Sequence, residues 1–88
     1  MVASAASNEP LADAPVDAGA IFQKQFRYVW NSLRRLGIQE RELEDMADEV
    51  FVRVHDQLAL FDPGRPLRPW LFSLALGVAT NYRRLARH

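Results

Sequence analysis

The chain is 88 residues long with a mass of 10.1 kDa, which leaves room for one small domain and excludes a second core. Its composition, 49% hydrophobic and 25% charged, is that of an ordinary globular protein, and it contains no cysteine. These values exclude a fully disordered chain, a disulfide framework, a thiolate metal site and a cysteine nucleophile. The absence of cysteine also fits a cytoplasmic protein.

Charge is unevenly distributed, although the formal net charge is zero. Residues 1–20 contain three acidic residues and no Lys or Arg, whereas residues 21–88 contain all 11 basic residues and the other 8 acidic ones. We interpret residues 1–17 as a disordered arm, because they have too few large apolar side chains to offset the entropy lost on ordering. Residues 18–88 are predicted to form the folded domain. No segment is apolar enough for a membrane span or a signal peptide.

Apolar residues at steps of three and four predict a first helix after Asp17, whose carboxylate can cap the first turn. The predicted buried stripe consists of Phe22, Phe26, Val29, Trp30, Leu33 and Leu36. Gly37 is predicted to end this helix in a left-handed conformation. A second apolar series predicts a helix over about residues 40–60.

The turn sequence Asp62-Pro63-Gly64 separates the second helix from a third one. Pro66 and Pro69 can be accommodated only in the first turn of that third helix. Its main apolar stripe consists of Leu67, Trp70, Leu71, Leu74, Val78 and Leu85, and Phe72 and Leu76 lie off this stripe. No segment has the alternation of a strand, so the sequence predicts an all-α, three-helix domain.

Acidic residues crowd the start of the second helix, where Arg41 is the single base among Glu40, Glu42, Glu44, Asp45, Asp48 and Glu49. One interpretation is a solvated helix face, since the helix dipole favours acids near an N-terminus. The other is a docking face for a basic partner, because six neighbouring acids repel one another and exceed what capping requires.

Arginine residues lie among aromatic ones in the third helix and the loop before it. They are Arg65, Arg68, Trp70, Phe72, Tyr82, Arg83, Arg84 and Arg87. Guanidinium groups can bind phosphates while aromatic rings stack on bases, which favours nucleic-acid binding. The helix dipole also favours arginine at a C-terminus, so a structural role stays open. His55 beside Asp56 is a third hypothesis, a phosphorelay, against the simpler interpretation of a surface histidine. No residue set predicts a metal or cofactor site.

Four segments together resemble region 2 of the extracytoplasmic-function (ECF) sigma factors of bacteria. They are Leu43–Val54, Phe61-Asp62-Pro63, Trp70–Ala75 and Arg83-Arg84, and the resemblance extends from about Ile21 to the last residue. It implies a helical, non-enzymatic domain that binds the β′ clamp helices of RNA polymerase and captures the minus-ten promoter element as the duplex melts. The implied partners are the β′ subunit, the non-template DNA strand and an anti-sigma factor.

The resemblance assigns roles to individual residues. Polymerase docking falls on Glu42, Asp45, Asp48, Glu49 and Arg53. DNA binding falls on Arg65, Arg68, Trp70, Asn81, Tyr82, Arg83, Arg84 and Arg87.

The chain departs from the family pattern at several of the positions involved in binding. It has Asp48 where glutamine is usual, Leu76-Gly77 where arginine-asparagine is usual, and Asn81 where aspartate is usual. Loss of the polar pair suggests an alternative, a sigma-like module that binds an anti-sigma factor or another regulator without promoter DNA. We expect the chain to be a domain of a longer protein, and its oligomeric state stays open.

Overall fold

The computed structural model describes residues 17–86, which form three α-helices. They are α1 (Ala18–Arg35), α2 (Leu43–Gln57) and α3 (Leu67–Ala86). One turn of 3₁₀-helix precedes α2, and another follows it. The predicted all-α, three-helix fold is confirmed; the arm predicted at residues 1–17 lies outside the described part except for its last residue. No described helix is long and apolar enough to cross a membrane.

Both ends of α1 are closed as the sequence predicts. The carboxylate of Asp17 accepts a hydrogen bond from the amide of Gly19 at 2.9 Å, which confirms the N-cap. At the other end Gly37 has a φ of 98°, a left-handed conformation that an L side chain rarely adopts. The amide of Gly37 donates to the carbonyl of Arg34, and that of Ile38 donates to the carbonyl of Leu33. These paired bonds satisfy the last carbonyls of α1 and turn the chain towards α2.

Apolar side chains from all three helices and from the connection after α1 form one core, made of Ile21, Val29, Leu33, Ile38, Leu43, Ala47, Val50, Phe51, Val54, Leu71, Leu74, Ala75, Val78 and Ala79. Burying a large side chain of this kind stabilises the fold by about 1.5–3 kcal/mol. Ala47, Ala75 and Ala79 are fully buried, which indicates close approach of the helix backbones. The core therefore holds α1, α2 and α3 in one packed unit.

The buried face of α1 is rotated from the predicted stripe. The structure buries Ile21, Gln25 and Ser32, while Phe22 is 40% exposed. Phe22 packs edge-on against Phe51 of α2 with ring centroids 4.9 Å apart, so the aromatic side chains lie at the margin of the core. The predicted stripe is confirmed at Val29 and Leu33, which are fully buried, and at Phe26, Trp30 and Leu36, which pack against the core. It was wrong at Phe22, and it missed Gln25 and Ser32 because polar residues do not register in an apolar pattern.

A short turn sets the start of α3. The amide of Arg65 donates to the carbonyl of Asp62 at 3.0 Å, and the Asp62 carboxylate accepts from the amide of Gly64 at 2.9 Å. Pro69 lies in the first turn of α3, as predicted, where its missing amide hydrogen leaves no bond unmade. The Trp70 ring packs on Phe61 with centroids 4.7 Å apart, which anchors the turn to α3.

The outer side of α3 carries apolar side chains, as the sequence predicts. Phe72 is 38% exposed and Leu76 is 42% exposed. Leu85, predicted on the buried stripe, is 60% exposed instead, because the part of α3 near its C-terminus extends past the core. The solvent-facing surface of α3 therefore combines exposed apolar side chains with exposed arginines.

Candidate functional site

The outer face of α2 is acidic and makes few contacts with the fold. Glu44, Asp45 and Asp48 are exposed, and none forms a hydrogen bond or ion pair with another described residue. The core-facing residues Ala47 and Val54 lie on the opposite side of the same helix, as its 3.6-residue period requires. The acidic side chains are therefore free to meet a partner.

Not all of the predicted docking residues share this face. Glu42, in the turn before α2, is half-buried and lies 4.0 Å from the guanidinium of Arg41. Glu49 and Arg53 form an ion pair at 3.8 Å on the flank of α2 that faces α3. The predicted docking residues therefore fall into three groups. Asp45 and Asp48 face the solvent, Glu49 and Arg53 form an ion pair on the side towards α3, and Glu42 lies in the turn before α2.

A groove runs between α2 and α3, with a volume of about 430 Å³. Its lining consists of Met46, Glu49, Arg53, Val78, Asn81, Tyr82 and Leu85. The groove brings two residues assigned to polymerase docking, Glu49 and Arg53, next to two assigned to DNA, Asn81 and Tyr82. The spacing of the sequence did not predict this juxtaposition, because it depends on how α2 packs against α3.

Gly77 gives the Arg53 side chain its position in this groove. A Cβ atom placed on Gly77 would lie 3.2 Å from Nη1 of Arg53, closer than ordinary van der Waals contact. The guanidinium group therefore occupies space that any side chain at position 77 would contest. From the sequence alone Gly77 indicates only the loss of a polar residue, because its contact with Arg53 depends on how α2 packs against α3.

Arg68 is tied to α1 by three contacts. Its Nε donates to Oε1 of the buried Gln25 at 3.0 Å, and its guanidinium lies 4.7 Å from the ring centre of Tyr28. The Tyr28 hydroxyl donates in turn to the carbonyl of Arg68 at 3.4 Å. Arg68 therefore fastens the first turn of α3 to α1, whatever else its guanidinium binds.

The remaining arginines of the predicted DNA set also have partners in the fold. Arg83 donates from Nη1 to the carbonyl of Leu36 at 2.5 Å, at the C-terminal end of α1. Arg84 donates from Nη2 to Oδ1 of Asn81 at 2.7 Å. Arg65 pairs with Asp62 at 3.6 Å in the turn before α3. Arg87 lies outside the described residues.

Exposed residues give α3 a defined outer face, with Phe72, Ser73, Leu76, Thr80 and Arg84 pointing to solvent. The hydroxyl of Ser73 donates to the carbonyl of Trp70 at 2.7 Å, and Trp70 itself is half-buried. This face therefore offers apolar surface in its middle and a guanidinium group near its end. Such a surface suits bases and phosphates, and equally an amphipathic protein segment.

His55 has only the carboxylate of Asp56 beside it among the described residues. Its ring is exposed, and its Nδ1 lies 3.7 Å from the carboxylate of the neighbouring Asp56. Within residues 17–86, no three His, Asp or Glu side chains are grouped so that they could hold a metal ion.

Comparison with known proteins identifies the family. The Sigma-70 region 2 profile matches residues 21–88. The RNA polymerase sigma factor CnrH of Cupriavidus metallidurans is 37% identical over 54 residues, 61% of this chain and 28% of CnrH. The RNA polymerase sigma factor NccH of Alcaligenes xylosoxydans xylosoxydans is 29% identical over 66 residues, 75% of this chain and 36% of NccH.

The matched part spans about a third of the length of these curated relatives. A search of solved structures gives no match. The profile match covers α2, α3 and all of α1 except its first three residues, and it includes the acidic face of α2 and the outer face of α3. The chain therefore belongs to the Sigma-70 region 2 family.

Proposed function

We propose that this chain acts in transcription initiation as the region 2 domain of an ECF-type sigma factor. It would work in the cytoplasm, without catalysis of its own, by binding RNA polymerase and promoter DNA. The family match over residues 21–88 and the two relatives named as sigma factors support this proposal. The observation that carries it is the arrangement of an unpaired acidic face on α2 beside a mixed basic and apolar face on α3.

The acidic face of α2 is proposed to dock on the β′ clamp helices. Asp45 and Asp48 point outwards and form no bonds within the described fold, so a basic partner can approach them without breaking a contact. Several charges of one sign also attract such a partner over about 8 Å, the screening length at physiological salt. Glu42 and Glu49 flank this pair and extend the negative surface.

The outer face of α3 and the preceding turn are proposed to hold the melted non-template strand of the minus-ten element. Holding an unstacked base costs a few kcal/mol, which stacking and phosphate contacts must offset. Arg84 and Arg65 are exposed and can bind phosphates, and the half-buried Tyr82 and Asn81 offer a ring and an amide. Arg68, Trp70 and Arg83 would act mainly by holding the end of α1 and both ends of α3 in place.

Titration of the chain against an isolated β′ clamp-helix fragment tests the docking proposal. We expect Asp45→Asn to weaken binding about tenfold, because it removes a charge from the acidic face at a position that faces the solvent. Asp56→Asn is the matched control, since it removes the same charge from the same helix about 16 Å further along. Both acids are exposed, so neither change should alter the fold.

Two results would count against docking on this face. One is no binding of the fragment by the unsubstituted chain. The other is equal weakening by Asp45→Asn and Asp56→Asn, which would indicate a general effect of net charge without a defined contact. Raising the salt concentration should weaken binding by the unsubstituted chain more than binding by Asp45→Asn, because the variant has one fewer ion pair to screen.

The exposed apolar side chains of α3 favour a second candidate function. Phe72 and Leu76 are 38% and 42% exposed on the face assigned to DNA, and Leu76 stands where the family has a polar residue. A module that binds an anti-sigma factor or another regulator through this face would bury both. Under this alternative, Leu76→Asn would abolish regulator binding, and single-stranded DNA would not bind in a salt-dependent way.

A further inference from the structure

We propose that Arg53 of α2 is a DNA-backbone contact, in the groove between α2 and α3 beside Gly77. This inference rests on the proposed function, since it names a residue of the DNA-binding surface. It reassigns Arg53, which the sequence resemblance placed with the polymerase-docking residues. It also gives a physical reason for the Leu76-Gly77 pair, because a guanidinium group from the neighbouring helix supplies donors that the missing polar pair does not.

The position of Arg53 supports this assignment. Its side chain is 31% exposed and lines the groove between α2 and α3, away from the outward carboxylates of Asp45 and Asp48. Nη1 lies 3.2 Å from the site that a Cβ atom on Gly77 would occupy, so a side chain at position 77 would require the guanidinium to shift by a few tenths of an ångström. Arg53 therefore belongs to α2, but its guanidinium lies beside the backbone of α3.

Polar residues of α3 continue from Gly77 along one side of the helix. Gly77, Asn81 and Arg84 are four and then three residues apart, so they follow one another on the same side of the helix. Asn81 lines the groove and bonds to Arg84, and Arg84 is exposed. Arg53 thus begins a line of polar groups that ends at Arg84, about 10 Å further along the helix axis.

The chemistry of Arg53 suits a phosphate better than a basic protein partner. The Glu49 carboxylate lies 3.8 Å from Nε and balances part of the charge, while Nη1 lies beside Gly77 of α3. The paired donors of a guanidinium match the oxygens of a phosphate. A positive charge within an acidic docking face would instead repel the basic partner that the face attracts.

The test measures binding of the full chain to a fluorescently labelled single-stranded DNA of mixed sequence over a series of salt concentrations. We expect Arg53→Gln to weaken binding about 3- to 10-fold at low salt and to lower the slope of log K against log salt by about 0.7, the value for one lost phosphate contact. Gly77→Ala keeps the charge but displaces the guanidinium, so it should produce a smaller loss. Glu49→Gln should strengthen binding, because it removes a carboxylate beside the contact.

Arg41→Gln is the matched control for net charge. Arg41 is exposed, lies in the turn before α2 and does not line the groove. Its salt slope should equal that of the unsubstituted chain. Equal slopes for Arg53→Gln and the unsubstituted chain would overturn the proposal, as would equal loss from Arg41→Gln. Circular dichroism of each variant separates these results from unfolding.

Arg84→Gln separates this inference from the proposed function. If Arg84→Gln lowers the slope and Arg53→Gln does not, DNA binding by α3 stands and the assignment of Arg53 fails. If the unsubstituted chain does not bind DNA at any salt concentration, the DNA-binding function fails and the Arg53 assignment fails with it. Loss of clamp-helix binding by Arg53→Gln with unchanged DNA binding would return Arg53 to the docking face.

Discussion

The acidic face of α2 and the basic residues of α3 relate to the fold in opposite ways. Asp45 and Asp48 point to solvent and bond to no other described side chain. Arg68 and Arg83, in contrast, are tied to α1 through Gln25, Tyr28 and the carbonyl of Leu36. Substitutions on α2 should therefore separate binding from stability, whereas substitutions of the arginines change both.

This difference decides how mutational data on the domain should be interpreted. Loss of DNA binding in an α3 arginine variant does not by itself place that arginine against DNA. The substitution also removes a contact that holds α3 on α1, and displacement of α3 would reduce binding as well. Loss of partner binding in an α2 acid variant carries no such ambiguity, since surface substitutions away from structural contacts usually change stability by less than about 0.5 kcal/mol.

The largest stability effect is expected for Arg68→Ala. Gln25 is a buried residue, 6% exposed, and the change leaves its amide oxygen without the Arg68 donor and removes the guanidinium from the Tyr28 ring. An unsatisfied buried acceptor costs about 1–3 kcal/mol, so the free energy of unfolding in urea should fall by about that amount. Arg65→Ala, which breaks an exposed ion pair, is the control and should change it little. Equal values for the two variants would refute a clamping role for Arg68.

A smaller loss is expected for Arg83→Met. Methionine keeps much of the apolar stem but removes the charged hydrogen bond to the carbonyl of Leu36 at the C-terminal end of α1. A favourable charge at a helix end contributes about 0.3–1 kcal/mol, which should appear as a lower midpoint of thermal unfolding. Arg84→Met loses only a bond to Asn81 within the same helix and should unfold nearer the original temperature. An unchanged midpoint for Arg83→Met would show that the bond to α1 is not stabilising.

The smallest stability effect is expected for the double variant Asp45→Asn and Asp48→Asn. Neutralising these acids gives up some favourable interaction with the helix dipole and relieves repulsion between neighbouring acids, so the two terms oppose each other. The free energy of unfolding should stay within about 0.5 kcal/mol of the original value. A loss above about 2 kcal/mol would mean that the acidic face supports the fold and would remove the contrast with α3.

Much of the fold was predictable because local chemistry is sufficient for it. Asp17 caps α1 through its own side chain, Gly37 ends the helix through its own backbone freedom, and Asp62 closes the next turn. The rotation of α1 was not predictable, because Gln25 and Ser32 are polar and their burial depends on other helices. Gln25 finds a partner in Arg68, 43 residues away, while the hydroxyl of Ser32 has no hydrogen-bond partner among the described residues.

The amino-acid sequence by itself determined three helices, an acidic start of the second, a basic third and the family resemblance, because each depends on residue type and spacing along one segment. Only the tertiary structure decided which charges remain free. It turned Asp45 and Asp48 outwards and attached Arg68 and Arg83 to α1. It also set Arg53 against Gly77, because the neighbours of a side chain across a helix interface depend on how the two helices pack together.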